Sequence, residues 1–248
     1  MKDNWLMSFT IKIADVVIRI NSSARFSLYE FRDFLTSNKE EFTVEIYQDD
    51  LVINSFVYKE NYVGWNGTIN LSILHQKVAE MLILYDTILM HGATIGINNG
   101  AMIFTAPSGT GKTTHIRKWL EQIPDTFVIN GDKPFIKFLD DDSQPLACGS
   151  PWAGKEGWFS NAMLPLKAII CMERAEENRI IEINFSEAFP FLLQQIYRPD
   201  DEEKMRKTIR LLQRLNGKVR FYKFQCNNYK DDCFEVAYSK LALLENVE

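Results

Sequence analysis

The stretch FTAPSGTGKTTHIRKW, residues 104–119, constrains the fold of this chain more than any other part of the sequence. It follows a short apolar run that begins at Gly100, and it opens an amphipathic stretch that stops before Pro124. Residues 106–113, APSGTGKT, match the phosphate-loop or Walker A pattern, with alanine in place of its first glycine. A strand before this loop and a helix after it are the context that the pattern requires. We therefore predict a phosphate-binding loop between a buried strand and a helix.

The residue types in this loop suit an anionic ligand. Gly109 and Gly111 allow the backbone to curl until successive N–H groups converge on a phosphate, and the N-terminus of the following helix adds a favourable field. Lys112 can reach the β- and γ-phosphates of a nucleotide, and the hydroxyl of Thr113 can ligate Mg²⁺. We predict ATP and Mg²⁺ as ligands, with nucleotide contacts from Ser108, Gly109, Thr110, Gly111, Lys112, Thr113 and Thr114.

An acidic residue after the next apolar strand is a second candidate. The segment TFVINGD, residues 126–132, ends in Asp132, whose carboxylate could hold Mg²⁺ through water or accept a proton from an attacking nucleophile. An aspartate that only forms a turn is the alternative, and the neighbouring phosphate-loop pattern favours the functional interpretation. The acidic run at residues 140–142 is typical of a solvated turn, and we assign it no metal.

The segment GSPWAGKEGWFSN, residues 149–161, is here called the tryptophan loop. Two glycines flank Lys155 and two tryptophans bracket it, which suits a mobile loop that closes over an anionic substrate. Lys155 could stabilise the charge on a transferred phosphoryl group. An aromatic-rich loop packed on the core explains the same residues equally well.

Among the three histidines, His91 is the strongest candidate for chemistry because it stands at a predicted strand end. An imidazole can shuttle a proton or orient a metal ligand at neutral pH. His75 falls within an apolar helix and is interpreted as a core or helix-surface residue. His115 lies on the first turn after the loop, where it is either close to phosphates or a packing residue.

Hydrophobic periodicity predicts an α/β protein with a β-rich beginning. Strands are expected over residues 8–20, 41–48 and 53–60, and a buried helix is expected from Leu71 to Leu84. Later strands are MHGATIGI and GAMIFTA, joined by a hairpin signal at residues 98–100, then buried TFVIN, a hairpin around the acidic run, PLKAIICMER and KVRFYKFQC. Later helices are KTTHIRKWLEQI, SEAFPFLLQQIY, DDEEKMRKTIRLLQRL and a short one in the tail from Asp232.

Charge and composition exclude several classes of partner. The net charge is −5 without a long basic block, which excludes a non-specific grip on nucleic acid or on an anionic membrane. No apolar run approaches the length that spans a bilayer, and charged residues interrupt the N-terminal apolar run that a signal peptide would need. The four cysteines form no CxxC pair and are typical of buried thiols in a reducing cytosol. We expect a cytoplasmic protein with no nucleic-acid or membrane partner.

Five motifs together resemble the HPr kinase/phosphorylase and phosphoenolpyruvate carboxykinase superfamily. They are LMHGATIGI, FTAPSGTGKTTHIRKW, VINGDKPFI, GSPWAGKEGWFSN and PLKAIICMERA, in family order over about residues 89–175. The chain looks closer still to HPr-kinase-like proteins, some of which phosphorylate serine in small precursor peptides. The resemblance implies a P-loop within a mixed, largely antiparallel sheet. It also implies an HPr-kinase-like nucleotide-binding catalytic domain at 86–248. Residues 1–85 carry no motif of the family and are expected to form a separate β-rich region with a buried helix and no known role.

The resemblance also implies roles for single residues. His91 falls where the family has a histidine near the γ-phosphate, and Asp132 falls where it has a metal-binding or catalytic acid. HPr kinases proper carry two adjacent aspartates at this strand end, the first acting as base, whereas this chain has Gly131 before Asp132. Either His91 and Asp132 share the metal and base duties, or the chemistry depends mostly on positioning and charge. The expected catalytic residues are His91, Asp132 and Lys155, and the expected metal ligands are Thr113 and Asp132.

The expected function is that of an ATP- and Mg²⁺-dependent kinase. It would transfer the γ-phosphoryl group to a hydroxyl, with serine preferred, on a peptide, a small protein or a small molecule. Two alternatives stay open. One is a phosphorylase that works in the reverse direction, and the other is a non-catalytic nucleotide-binding sensor or scaffold, which stays open because Gly131 stands in place of an acid.

Overall fold

The structure is a computed structural model that describes residues 5–47, 66–140 and 143–242, with residues 66–70 given by their backbone. The strand expected over residues 53–60 and two residues of the acidic run, Asp141 and Asp142, lie outside the described residues.

The chain divides into two compact units, Met1–Tyr85 and Asp86–Glu248, called here unit 1 and unit 2. Each unit has its own sheet. Within the described ranges, no helix is both long and apolar enough to cross a membrane.

Unit 1 is built on a three-stranded sheet in the order β1-β2-β3. Its elements are β1 (Met7–Ile13), β2 (Val16–Ser22), β3 (Phe42–Ile46), the helix α1 (Asn66–Leu82) and short 3₁₀ turns at Tyr29–Phe31 and Ile83–Tyr85. Strands β1 and β2 form an antiparallel hairpin, and β3 runs parallel to β2. Helix α1 buries Leu74, Val78 and Leu82, which share one face because they are spaced by four residues. The β-rich start of the chain is confirmed for the described residues.

Unit 2 alternates short strands with helices. Its elements are β4 (Thr87–Leu89), β5 (Ala93–Ile97), β6 (Gly100–Thr105), α2 (Lys112–Gln122), β7 (Phe127–Asn130), β8 (Phe135–Lys137), β9 (Leu146–Cys148), β10 (Met163–Arg174), β11 (Arg179–Ile183), α3 (Phe185–Gln195), α4 (Glu202–Gln213), β12 (Arg220–Cys226) and α5 (Cys233–Leu241). The strands and helices expected in this unit are all present. The strands β4 and β11 were not expected from the sequence.

The nine described strands of unit 2 form one mixed sheet. Strand β10 lies at its centre and pairs in parallel with β6 on one side and β12 on the other. The other pairings are antiparallel, including the β5–β6 hairpin, the β5–β7 pair and the β8–β9 pair. The fold is therefore a mixed α/β fold with a large, largely antiparallel sheet, as expected. Strand β7 pairs with β5, and its last residue, Asn130, also forms an antiparallel bridge with Phe159. Phe127 is 37% exposed, so the first residue of β7 is not buried as expected.

Two hydrophobic layers cover the two faces of this sheet. Alternate residues of a strand point to opposite faces. Accordingly, Phe104 and Ile170 pack in one layer with Trp119 of α2, while Ile103 and Ile169 pack in the other layer with residues of α3 and α4. A strand that is buried on both faces has a nearly continuous apolar sequence, which explains the apolar run AIICM in β10. All four cysteines are buried and have free thiols.

The pairing of β10 brings several chain segments to one edge of the sheet. The carboxyl ends of β6, β10 and β12 lie at this edge because the three strands are parallel neighbours. The beginning of β5 lies beside the end of β6, with Ala93 opposite Phe104, and the end of β7 lies beside the beginning of β5, with Asn130 opposite Thr94. The residues that precede β5 and follow β6, β7, β10 and β12 therefore meet here.

The central position of β10 leads to a stability prediction. Ile170 is fully buried, and Ile170→Ala should lower the free energy of unfolding by about 2–5 kcal/mol, because it removes packed methyl groups and leaves a cavity. Met163, at the beginning of the same strand, is 40% exposed, so Met163→Ala is a matched control expected to cost less than about 1 kcal/mol. Urea denaturation followed by circular dichroism measures both. Equal losses would contradict the central placement of β10.

Candidate functional site

Residues 106–111, called here the glycine loop, connect β6 to α2. Gly109 and Gly111 have φ angles of 79° and 110°, in the left-handed region that favours glycine. A Cβ atom at Gly111 would also lie 2.1 Å from Nδ2 of Asn228, so both backbone conformation and space exclude a side chain there. No side chain in the described residues caps the start of α2. Its first N–H groups are therefore available to an anion.

Lys112 is the first residue of α2, and its side chain folds back over the glycine loop. Its Nζ atom donates to the carbonyl oxygen of Ala106 at 2.9 Å and lies 3.3 Å from Nε2 of His91. The residue is only 8% exposed. Burial lowers the pKa of Lys112, and the nearby carboxylate of Asp132 opposes this shift. A buried ammonium group that has lost most of its water is stabilised when an anion enters beside it.

His91 lies between β4 and β5 and is held from two sides by Gln195 at the end of α3. The backbone N–H of His91 donates to the carbonyl oxygen of Gln195 at 2.7 Å, and Nδ1 of its ring lies 3.0 Å from Oε1 of the Gln195 side chain. Because a carboxamide oxygen only accepts, a hydrogen bond between these two atoms requires the tautomer that has its proton on Nδ1. The other ring nitrogen, Nε2, faces Lys112 and lies 3.5 Å from Oδ1 of Asp132. His91 therefore presents Nε2 to the lysine and to the carboxylate.

Asp132 stands in a turn after β7 that is organised by the fully buried Asn130. Oδ1 of Asn130 accepts from the backbone N–H groups of Asp132 at 2.9 Å and of Lys133 at 2.6 Å. Its Nδ2 atom donates to the carbonyl oxygens of Ser150 at 3.0 Å and of Trp152 at 3.2 Å. One side chain thus fixes the turn that carries Asp132 and joins it to the tryptophan loop.

The carboxyl group of Asp132 favours its charged form. Burial raises its pKa, but the contact with His91 and the positive charges of Lys133 and Lys112 outweigh burial, so the pKa lies below its usual range. Asp132 is consequently an anion at neutral pH. It suits the role of a hydrogen-bond acceptor or metal ligand better than that of a proton donor.

The tryptophan loop lies over Gly131 and borders the same pocket. The backbone N–H of Gly131 donates to the carbonyl oxygen of Trp158 at 2.9 Å, and a Cβ atom at Gly131 would lie 3.3 Å from the carbonyl oxygens of both Ala153 and Trp158. Those two carbonyl oxygens would repel a carboxylate. The surroundings of Gly131 therefore disfavour an acidic side chain, because they leave little space for it and present oxygen atoms to it.

An ion pair ties the tryptophan loop to α2. Nη2 of Arg117 lies 2.8 Å from Oε2 of Glu156, and the guanidinium group lies 5.2 Å from the ring centre of Trp158. Lys155, the neighbour of Glu156, makes no ion pair with another described residue and lines the pocket. The ammonium group of Lys155 is therefore available to an incoming anion.

One pocket of about 460 Å³ gathers most of the residues selected from the sequence. Its walls include His91, Ser108, Gly109, Gly111, Lys112, Thr113, Thr114, Asp132 and Lys155. Thr110 is not part of the wall, and its hydroxyl instead donates to the carbonyl oxygen of Pro107 at 2.9 Å and closes the glycine loop.

The other two histidines are not among the residues that line this pocket. His115 is fully buried, and its Nε2 atom accepts a hydrogen bond of 3.1 Å from Nε1 of Trp119, so the packing interpretation is the correct one. His75 is 5% exposed and belongs to α1.

The donor atoms of the pocket fit a magnesium ion that arrives with a nucleotide. In the described part of the chain, no group of three or more His, Cys, Asp or Glu side chains is arranged to hold a metal. Mg²⁺ is usually held by one or two carboxylates together with water and substrate phosphates. The carboxylate of Asp132 and the hydroxyl of Thr113, both in the pocket wall, match that donor set.

Gln195 and Asn130 are the site residues that sequence reasoning missed. Gln195 follows Gln194 at the end of the apolar stretch FPFLL. The only feature of the sequence that could have indicated a role for Gln195 is that a polar residue stands on the buried face of a predicted helix. Asn130 stands two residues before Asp132, a spacing at which an asparagine side chain commonly caps its own turn. Neither feature of the sequence predicts the residues that Gln195 and Asn130 contact, because those residues lie in other parts of the chain.

Comparisons with known proteins add little to this description. No protein-family model matches the chain, and no curated protein matches it. Among solved structures, the chain is similar to the Hpr(Ser) kinase/phosphatase from Coxiella burnetii, at 10% sequence identity and a TM-score of 0.38, over 64% of this chain and 99% of that chain. A similarity of this size supports at most a distant fold relationship.

The role of Asn130 leads to a second prediction. Asn130→Leu should lower the free energy of unfolding by more than about 2 kcal/mol, because each buried polar group left without a partner costs about 1–3 kcal/mol. Ser150→Ala removes one hydroxyl from the same network and should cost about 1 kcal/mol. Urea denaturation measures both. A smaller loss for Asn130→Leu than for Ser150→Ala would show that the turn is held by other contacts.

Proposed function

We propose that the protein is an ATP- and Mg²⁺-dependent, HPr-kinase-like phosphotransferase that transfers the γ-phosphoryl group to a hydroxyl, with serine on a peptide or small protein as the favoured acceptor. The observation that carries this proposal is the contact of three groups at one pocket beside the glycine loop. Nε2 of His91 lies 3.3 Å from Nζ of Lys112 and 3.5 Å from Oδ1 of Asp132. A cation, an imidazole and a carboxylate at hydrogen-bond range are the groups that phosphoryl transfer uses.

The glycine loop and Lys112 would hold the phosphates. The uncapped N–H groups at the start of α2 point toward the anion, and the desolvated ammonium group of Lys112 supplies the positive charge. Thr113 and Asp132 would hold Mg²⁺, which neutralises charge that develops on the transferred phosphoryl group. Asp132 is suited to this role because its pKa is already low in the protein.

His91 is the proposed proton acceptor. When Nδ1 donates to Gln195, the neutral ring has its lone pair on Nε2, which faces Nζ of Lys112. Bound phosphates would draw the ammonium group of Lys112 to themselves and leave this lone pair for the hydroxyl proton. The acceptor hydroxyl forms its oxygen–phosphorus bond at the γ-phosphorus, the bond to the bridging oxygen of ADP breaks, and the hydroxyl proton moves to Nε2. The carboxylate of Asp132 then stabilises the imidazolium. The loose transition state of phosphoryl transfer makes a modest demand on this base, which suits a site with no second acid.

A non-catalytic nucleotide sensor is the second candidate, and the packing at Gly131 favours it. The carbonyl oxygens of Ala153 and Trp158 approach position 131 closely, in the place where HPr kinases proper carry their first aspartate. A sensor would bind nucleotide without turnover. The reverse reaction, phosphorolysis of a phosphoserine by inorganic phosphate, uses the same pocket and is assayed with a phosphopeptide.

The role of Lys112 yields a prediction about nucleotide binding and transfer. Lys112→Met should weaken the binding of Mg·ATP and reduce transfer by about 100-fold or more, because it removes a cation from the transition state. Lys118→Met, on the same helix, is the matched control and should leave both unchanged. Calorimetry and transfer from labelled ATP to a library of serine and threonine peptides, with free serine and HPr as further acceptors, measure the two effects. If Lys112→Met bound Mg·ATP as tightly as the wild type, the proposed binding of the phosphates by Lys112 would be refuted.

The role of Lys155 yields a separate prediction about the acceptor. Lys155→Ala should reduce kcat and raise KM for the acceptor, while the affinity for ATP stays near that of the wild type. Lys155 lines the pocket, and we assign its positive charge to the transferred phosphoryl group and the acceptor. Lys118→Ala serves as the control. Loss of ATP affinity without a change in acceptor KM would assign Lys155 to the nucleotide instead. If the wild type binds ATP but transfers to no acceptor, the sensor becomes the favoured function.

A further inference from the structure

The edge of the sheet that carries the glycine loop extends beyond the pocket described above. Strands β6, β10 and β12 are parallel neighbours, so the segments that follow them lie side by side. In open α/β sheets, ligands bind outside the carboxyl ends of the strands. The glycine loop follows β6, and residues 227–230 follow β12. His91 and Asp132 lie on the β5 and β7 side of the glycine loop, whereas residues 227–230 lie on its opposite side.

The turn at residues 227–230 touches the glycine loop directly. Nδ2 of Asn228 donates to the carbonyl oxygen of Gly111 at 3.2 Å. The turn is also fixed to the rest of unit 2, because the backbone N–H of Asn227 donates to the side chain of Asn178 at 2.6 Å and the side chain of Asn227 accepts from the N–H of Tyr229 at 3.1 Å. The next residue along the turn therefore has a defined position relative to the glycine loop.

Tyr229 is that residue, and its side chain is 99% exposed. Among the described large apolar side chains that are exposed, the next in rank is Tyr29 at 70%, in unit 1. The ring of Tyr229 is thus presented to solvent by a turn that is itself hydrogen-bonded on both sides. The hydrogen bonds fix the backbone of the turn, and both faces of the exposed ring are accessible to a planar base that stacks on it.

The spacing of the strands fits the length of a nucleotide. Neighbouring strands lie about 4.8 Å apart, so β6 and β12 are separated by about 10 Å. This distance is comparable with that spanned by a ribose and one phosphate group. Tyr229 is not part of the pocket wall, but its neighbour Asn228 contacts Gly111 directly, which places Tyr229 within reach of the base of a nucleotide whose phosphates occupy the glycine loop.

We propose that Tyr229 is the base-stacking platform of the phosphate pocket, and that the ligand is a nucleoside triphosphate rather than a free phosphate or polyphosphate. This inference rests on the proposed function. The base lies over the end of β12, the phosphates lie in the glycine loop, and the γ-phosphate points toward His91 and Asp132. Because every base has a π-face, the platform binds adenine and guanine nucleotides with similar strength.

The test compares nucleotides with a ligand that has no base. Calorimetry measures the affinity of Mg·ATP, Mg·GTP and Mg·tripolyphosphate for the wild type, Tyr229→Ala and Tyr229→Trp. Tyr229→Ala should weaken ATP and GTP by about tenfold, as expected for the loss of one stacked base, and leave tripolyphosphate unchanged. Tyr229→Trp should retain the affinity for ATP, and its added indole fluorescence should respond to ATP but not to tripolyphosphate. Tyr29→Ala is the matched control and should change none of the affinities.

The outcomes separate this inference from the function on which it rests. If Tyr229→Ala binds ATP as tightly as the wild type, while the wild type binds both ATP and tripolyphosphate, the platform is refuted and the phosphate pocket stands. If the wild type binds neither ligand, the phosphate pocket itself is refuted. An equal weakening of ATP and tripolyphosphate by Tyr229→Ala would assign the effect to the glycine loop and also refute the platform. Thermal unfolding of each variant verifies that the exposed position tolerates the change.

Discussion

The parallel pairing of β10 with both β6 and β12 is the constraint on which the rest of unit 2 depends. A parallel pair requires a crossover rather than a tight turn, so helices lie between the paired strands along the chain and cover both faces of the sheet. The same pairing forces the segments after three strands to one edge. The glycine loop, the end of β10 and the turn at residues 227–230 are neighbours for this reason, although they are far apart in sequence.

The site at this edge depends on how a buried positive charge is balanced. Burial lowers the pKa of Lys112, and the carboxylate of Asp132 opposes this shift. Burial raises the pKa of Asp132, but its positive neighbours, including Lys112, outweigh burial and lower it. Each group therefore supports the charged form of the other. His91 lies between them, and its orientation is set by Gln195. The turn of Asp132 is set by Asn130. Two uncharged amide side chains thus fix the positions of His91 and Asp132 beside Lys112.

Much of the local structure could be predicted from the sequence. The structure contains strands β5 and β6 on either side of the turn signalled at residues 98–100, and helix α2 directly after the glycine loop, as expected. These elements could be predicted because turn chemistry and periodicity act over short distances. Strand β11 was missed because it pairs only with β12 and lacks a regular burial pattern. Gln195 was missed because its partner His91 lies 104 residues away in the chain.

The sequence by itself determined the class of the fold, the position of the glycine loop and the short list of side chains that are proposed to carry chemistry. Residue type and spacing are sufficient for these because they depend on local geometry and on the intrinsic chemistry of each side chain. Only the tertiary structure decided which of these groups meet, that Gly131 is closely covered by carbonyl oxygens, and that His115 is a core residue. Those outcomes depend on strand order and register. Both are set by packing across the whole sheet, between residues far apart in the chain, and cannot be predicted from local sequence patterns.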